Sequence, residues 1–332
     1  MGAISSDSEF ESYLEETRRG VNQSISDFIS GISNMEIYPF LKYTLMSDGK
    51  RLRPILAITS ASVFGADRAK VINLSMAFEM LHTATLVHDD IIDGDKMRRN
   101  IPSVNGQWGH EIAILVGDAL ISLGINLSSE YGPDIIKAVA EYGISLCNGE
   151  YLDITSRLSM ISEEQYLRTI KLKSAALFKA VARCGALAAG ASPAHIDMIS
   201  EYAENFGIAY QIYDDIIDTM APNGEISKDM KEGRVTLPLV HLYNNIDIKG
   251  KEEVELELME ISRKPDSKTS LYYATQIVDQ ITRNNSLSYC RALASGYVAK
   301  GIEAISGLPD NRYRSYLERM ISYIDTGKIL PL

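Results

Sequence analysis

Apolar residues along this 332-residue chain recur every three or four positions far more often than every second one, which is the spacing of one face of an α-helix. The pattern predicts long helices over 71–86, 111–131, 134–158, 163–189 and 195–220, then shorter ones over 251–262, 268–283, 286–305 and 312–324. They break at helix-stopping residues: Gly132-Pro133, Ser192-Pro193, Pro222-Asn223-Gly224 and Gly307-Leu308-Pro309. Alternating runs closed by Asn-Gly or Asp-Gly turns are missing, so strands are not expected. No short-period repeat or low-complexity linker divides the chain. The economical reading is an all-α fold, with residues 1–332 forming one domain. A single large helical bundle around a deep central cavity accommodates that length.

Two stretches stand out against this pattern. His88 to Asp93 reads HDDIID, and Tyr213 to Asp218 reads YDDIID. Each helical residue advances about 100°, so Asp89 and Asp93 share a face roughly one turn apart. Two carboxylates in apolar surroundings repel each other. His88 and Lys96 are near in sequence, but neither pairs obviously with both acids. A divalent cation relieves the repulsion. Aspartate oxygens suit Mg2+, whose shell is completed by water and substrate phosphates. Asp214 and Asp218 repeat the arrangement. A lone DDxxD is more often a helix start or a solvated face. Here both copies follow apolar runs, both hold Ile-Ile between the acids, and both come late in a predicted helix, where the macrodipole disfavours carboxylates. Acids placed against that preference point to a role other than stability.

Composition narrows the ligand. Hydrophobic residues make up 45% and charged residues 23%, as in ordinary globular domains. The net charge of −11 argues against a general nucleic-acid binder, which needs basic stripes. A phosphorylated ligand would require locally gathered cations or metal. Such cations occur in Gly49-Lys50-Arg51-Leu52-Arg53-Pro54, in Arg98-Arg99 after the first acid cluster, at Lys171 and Lys173, and in Lys228, Lys231 and Arg234 after the second. Singly, each reads as a surface charge. Together with paired metals they suit a diphosphate, since guanidinium forks bind its oxygens bidentately and lysines add point charges. Cys147, Cys184 and Cys290 form no CxxC pair, which suggests reduced thiols and a cytoplasmic protein. The opening MGAISSDSEFESYLEE is acidic and lacks an apolar core, so a secretory signal is not expected. No run of about 18 apolar residues occurs, so no transmembrane helix is expected.

The motifs GKRLRP (49–54), LHTATLVHDDIIDGDKMRRN (81–100), Gly117-Asp118, Lys173-Ser174, YQIYDDIID (210–218) and SKDMKEGRVTLPL (227–239) resemble, in order and spacing, those of the trans-isoprenyl diphosphate synthases, the polyprenyl synthetase family. The resemblance covers nearly the whole chain. It implies a helical bundle around a prenyl cavity, a homodimer, and Mg2+-dependent head-to-tail joining of an allylic diphosphate to isopentenyl diphosphate. Three ions per site are implied, with Mn2+ able to substitute. Asp89 and Asp93 would hold two ions and Asp214 the third, with Asp90, Asp215 and Asp218 as supporting carboxylates. Arg98, Lys173 and Lys228 would clamp the allylic diphosphate. Lys50, Arg53, His82 and Arg99 would bind isopentenyl diphosphate, and Ser174 and Gln211 would line the reacting centre. Arg234 adds a further substrate-side cation.

The chain departs from the family pattern in places. Asp48 stands where a second glycine is common, and Ser174 replaces a threonine but keeps a hydroxyl. Arg234 replaces a lysine but keeps the charge. Asn100 and Asn105 replace a glycine and a histidine. None of these removes an expected ligand. A class I terpene cyclase would lack GKRLRP and the second DDxxD. A metal phosphohydrolase would need more spaced His-Asp ligands than the five histidines here allow. A non-catalytic partner subunit would typically have lost aspartates that this chain keeps. In this family a bulky aromatic five residues before the first aspartate caps the product; Ala84 stands there, followed by Thr85. The expected product therefore exceeds C15, with geranylgeranyl diphosphate (C20) favoured over farnesyl or longer chains. Phe78 lies about 16 Å deeper on a straight helix and near the Asp89 face, which makes it a candidate cavity floor.

Overall fold

A computed structural model describes residues 7–47, 49–220 and 225–325. Asp48, Pro222, Asn223, Gly224 and the first six residues, on which sequence expectations drew, lie outside them. The chain is all-α as expected, and its packing gathers residues into two compact units.

The first unit contains α1 (Asp7–Gly31), α2 (Tyr38–Leu45), α3 (Leu52–Ser62), α4 (Arg68–Ile92), α5 (Val104–Trp108) and α6 (His110–Ser129). Helix α4 is its axis. Every residue from Leu74 to Leu81 is buried, the signature of a helix packed on all sides. It runs beyond the predicted 71–86 to include the acids, because Asp89 and Asp90 occupy its last turn and Asp93 caps it. Against α4 lies α6, which buries Ala113, Val116, Gly117, Leu120 and Leu127. A Cβ at Gly117 would collide with the His88 imidazole, so the glycine is needed for this approach. By length and composition alone α6 is apolar enough to cross a membrane, but it packs against α4 as a core helix does, and Glu111 and Asp118 interrupt it. Helix α1 carries a narrow stripe (Phe10, Val21, Ile25, Ile29) among polar residues, which explains its weak sequence signal.

Between α4 and α5 the chain makes the one β-hairpin among the described residues, β1 (Met97–Arg98) paired with β2 (Ile101–Pro102). Its two-residue turn is Arg99-Asn100, with φ of 50° and 65°. A turn of this hand needs positive φ at both positions, which asparagine tolerates better than most residues. This accounts for Asn100 replacing glycine without loss of the turn. Asn105, in place of histidine, is buried and donates Nδ2–H to the carbonyls of Asp90 (3.2 Å) and Asp95 (3.4 Å), fastening the loop to the end of α4.

The second unit contains α8 (Glu163–Ile170), α11 (Lys228–Glu232), α12 (Leu237–Asn244), α13 (Ile248–Arg263), α14 (Lys268–Arg283) and α15 (Ser286–Ala304). Helices α7 (Pro133–Thr155), α9 (Ala176–Ala188), α10 (Pro193–Thr219) and α16 (Arg312–Asp325) contribute residues to both units. The core of the second unit includes Tyr166, Ile208, Ile212, Leu237, Val254, Ile277 and Cys290. Helix α8 starts on a capping box in which Ser162 and Gln165 exchange side-chain and backbone hydrogen bonds. The helix predicted over 163–189 is interrupted by a π-helical turn, Lys171–Ala175. At Gly149 on α7 a Cβ would collide with the Lys173 amide, so backbone meets backbone there. Periodicity does not register one extra residue in a turn, and such turns re-aim side chains.

Candidate active site

In the first unit the carboxylates divide their work. Asp89 and Asp93 are partly buried, and the Asp93 amide donates to the Asp89 carbonyl at 2.8 Å, keeping the two on adjacent turns. Asp90 points elsewhere. It is 3% exposed and accepts Arg98 Nε at 2.9 and 3.0 Å and Arg98 Nη2 at 2.6 Å. Asp90 thus ties the hairpin to α4, a role the expected supporting carboxylate did not specify. Burial opposes the charge on Arg98, but Asp90, Asp89 and Asp95 outweigh it and hold the guanidinium more firmly protonated than usual. Asp95, inside the 81–100 motif but given no role there, brings a carboxylate oxygen within 4.8 Å of one on Asp93.

The basic loop before α3 is held by Arg51. Its φ is 52°, in the left-handed region, and its side chain is buried. Nη1 meets Glu79 at 2.5 Å, Nε donates to Asn22 Oδ1 at 2.8 Å, and Nη2 donates to the carbonyls of Leu45 and Ser47, both at 2.9 Å. The flanking cations then take set directions. Lys50 is exposed, with a pKa lowered by partial burial. Arg53 lies over the Phe178 ring, 4.9 Å from its centroid. The Arg99 guanidinium comes so close to Gly49 that a Cβ there would stand 2.8 Å from Nη1. His82, on α4, is pushed well below the usual imidazole range by burial and then by Arg53, Arg99, Arg98 and Arg51. A neutral imidazole among four guanidiniums is an anion-binding environment. A cavity lined by Arg51, Glu79, His82, Asp90, Arg98 and Arg99 opens beside it. The structure therefore brings Arg53, His82, Arg98 and Arg99 together. His88, left without a role by its motif, packs on Gly117 and lies 3.9 Å from Asp118.

In the second unit Asp214, Asp215 and Asp218 occupy the last turns of α10. Asp215 is buried, accepting Tyr166 Oη–H at 2.7 Å and Gln211 Nε2–H at 2.9 Å. Burial pushes its carboxyl up to about 7, opposed by those two hydrogen bonds and reinforced by Asp214. Both Asp215 oxygens are thus engaged with protein donors. Asp218 Oδ2 accepts the Asp229 amide at 3.3 Å. Burial, then Asp218 and Asp215, raise the Asp229 carboxyl well above its usual range. Ser174, on the π-helical turn, donates to Gln211 Oε1 at 2.6 Å. Lys173 Nζ lies 2.6 Å from Asp153 and 2.8 Å from Glu150. Arg234 reaches Asp153 at 3.1 Å and Glu232 at 2.6 Å. Lys228 is exposed, 3.5 Å from Glu232.

Glu79 in the first unit, and Glu150, Asp153, Tyr166 and Asp229 in the second, bond to residues of the quoted motifs. Only Asp229 falls inside a quoted motif, and the i, i+3 pair Glu150 and Asp153 was the one local signal for the rest. Carboxylate oxygens brought together, as on Asp93 and Asp95, fit a hard divalent cation such as Mg2+.

The family model for polyprenyl synthetase matches residues 34–278. The chain is 30% identical to geranylgeranyl diphosphate synthase of Methanosarcina mazei over 92% of this chain and 94% of that one. It is 33% identical to the enzyme of the same name from Sulfolobus acidocaldarius, over 90% and 92%. Octaprenyl diphosphate synthase of Escherichia coli is 29% identical over 90% of this chain and 92% of its own. Among solved structures, geranylgeranyl pyrophosphate synthetase from Pyrococcus horikoshii superposes with a TM-score of 0.85 at 28% identity, covering 96% of this chain and 98% of that one. Two acid clusters ending long helices, each with its own cations, and a family match spanning most of the chain place it in the polyprenyl synthetase family, as a trans-prenyltransferase that makes prenyl diphosphates.

Proposed function

We propose that the protein condenses isopentenyl diphosphate with allylic diphosphates, head to tail, and releases geranylgeranyl diphosphate. The observation that carries the length is α4 itself. It runs unbroken from Arg68 to Ile92, with Ala84 buried and small five residues before Asp89. Phe78, fully buried, lies eleven residues before Asp89, about 16 Å along the axis. In this reading Phe78 floors the prenyl cavity.

Asp89, Asp93 and Asp214 would hold three Mg2+ ions, a role Mn2+ could also fill, with Asp218 in support; bound metal would supply positive charge to neutralise the departing diphosphate. Arg98, Lys173, Lys228 and Arg234 bind the allylic diphosphate. Lys50, Arg53, Arg99 and neutral His82 bind isopentenyl diphosphate. Ser174 and Gln211 face the allylic carbon. The aliphatic wall excludes water that would quench the cation. The departing diphosphate takes the proton, so no side chain is assigned as base.

The whole chain acts as one catalytic domain. We place it in the cytoplasm, in keeping with its three free cysteines. A homodimer is supported by apolar residues left exposed on α6 (Ile114, Leu115, Ile125) and on α7 (Ile144, Tyr151, Ile154). The test is to incubate the protein with labelled isopentenyl diphosphate and each allylic primer, then chromatograph the dephosphorylated products. A C20 alcohol is expected from the wild type and longer alcohols from Phe78→Ala. A C15 or C40 end product from the wild type, or an unchanged profile in Phe78→Ala, would refute the length assignment.

A further inference from the structure

Four side chains in the second unit form one chain of hydrogen bonds. Tyr166 Oη–H donates to Asp215 Oδ2 at 2.7 Å, Gln211 Nε2–H donates to Asp215 Oδ1 at 2.9 Å, and Ser174 Oγ–H donates to Gln211 Oε1 at 2.6 Å. The direction of each bond follows from the one before it. In its ionised form Asp215 accepts on both oxygens, from Tyr166 and from Gln211. Gln211 must therefore present its amide NH2 to Asp215 and its carbonyl to Ser174. Ser174 must spend its single proton on that carbonyl. Its remaining oxygen lone pairs are then directed away from Gln211.

We propose that Tyr166 is a positioning residue for prenyl transfer, acting through Asp215 and Gln211 to hold the Ser174 oxygen as an electron-rich acceptor. This rests on the prenyl-transfer reading above. At the reacting centre an outward lone pair stabilises positive charge developing on the allylic carbon, whereas an outward O–H would oppose it. A preset dipole costs no reorganisation at the moment of ionisation. Tyr166 is 4% exposed and sits on α8, outside every quoted motif. With a phenol on one oxygen and the Gln211 amide on the other, the Asp215 carboxylate has one orientation. The π-helical turn places Ser174 where it meets Gln211.

Two near-isosteric variants test the idea. Tyr166→Phe keeps the ring in the core and removes one of the donors that orient the Asp215 carboxylate, leaving Gln211 and the Leu237 backbone. Asp215→Asn can donate to Gln211 Oε1, which reverses the chain and turns the Ser174 proton outward. Steady-state rates of condensation, KM for each substrate and the Mg2+ activation midpoint are measured for both. A fall in kcat of roughly tenfold, about 1.4 kcal/mol in barrier, is expected in each, with both KM values and the Mg2+ midpoint within about twofold of wild type. Ser174→Ala should lower kcat similarly, and adding Tyr166→Phe to it should cost little more, because both act through one oxygen. Unchanged kcat in Asp215→Asn, a shifted Mg2+ midpoint in place of a kcat loss, or fully multiplicative losses in the double variant would overturn the assignment. If Tyr166→Phe fails to fold, Asp215→Asn and its combination with Ser174→Ala decide the matter. Wild-type protein that made no prenyl product would instead sink the reading on which the inference rests.

Discussion

Replacing Glu79 by alanine should cost the protein about 3 kcal/mol and disturb one substrate more than the other. The Arg51–Glu79 pair is enclosed, with 6% and 8% of the two side chains exposed. Removing one partner of a buried pair strands the other charge, which typically costs about 3–5 kcal/mol. The low end applies here because Arg51 keeps three neutral acceptors, Asn22, Leu45 and Ser47. Arg51 also holds a left-handed backbone conformation, worth about 1–3 kcal/mol of strain that its side-chain anchors offset. With the anchor weakened, the loop should relax and Lys50 and Arg53 should lose their directions. Urea unfolding and substrate KM values measured on the same variants provide the assay. Arg51→Met combined with Glu79→Ala should be more stable than the sum of the single losses by about 2 kcal/mol, since the second change removes the stranded charge. In Glu79→Ala the KM for isopentenyl diphosphate should rise several-fold more than that for the allylic substrate. A loss under about 1 kcal/mol, strictly additive variants, or equal changes in the two KM values would refute the reasoning.

Asp89→Ala and Asp214→Ala should each abolish Mg2+-dependent condensation while leaving circular dichroism and melting essentially unchanged; full turnover by either would contradict the metal assignment. Arg99→Ala should raise KM for isopentenyl diphosphate more than for the allylic substrate, and initial-rate kinetics showing the reverse order would undo the division between Arg98 and Arg99. His82 makes stability depend on pH. Its folded pKa lies well below the ordinary 6.5, so the unfolded chain binds the proton more readily. Its contribution is therefore intact above about pH 6.5 and is lost as pH falls toward the folded pKa, with a slope of at most about 1.4 kcal/mol per pH unit. Denaturation midpoints measured from pH 7.5 down to 5.5 should fall less steeply in His82→Gln, and parallel curves would count against this.

Much of the helical framework was legible because an amphipathic period is a property of neighbouring residues. The helices around 111–131, 134–158, 195–220 and 268–283 appear with ends shifted by a few residues. Prediction failed where a local signal was thin or misleading. The stripe of α1 is too narrow to stand out, and the π-helical turn hides inside a continuous apolar pattern. The hairpin turn, made by Arg-Asn, lacks the Asn-Gly pair that announces such turns.

The acids and cations were likewise visible in the chain, because charge density and spacing are local. Their partners were not. Asp89 and Asp90 are adjacent and identical in type, yet a turn of about 100° gives one a partly exposed face and the other a buried bond to Arg98. Asp214 and Asp215 diverge in the same way, the second being claimed by Tyr166, a residue 49 positions away. Arg51 and Arg53 stand two apart in one motif, but Glu79 turns the first into a strut of the loop and Phe178 carries the second. The kinds of chemistry available are written in residue type and periodicity. Which carboxylate is left to meet a cation, and which is spent on holding a neighbour, depends on groups that only folding brings within hydrogen-bonding distance.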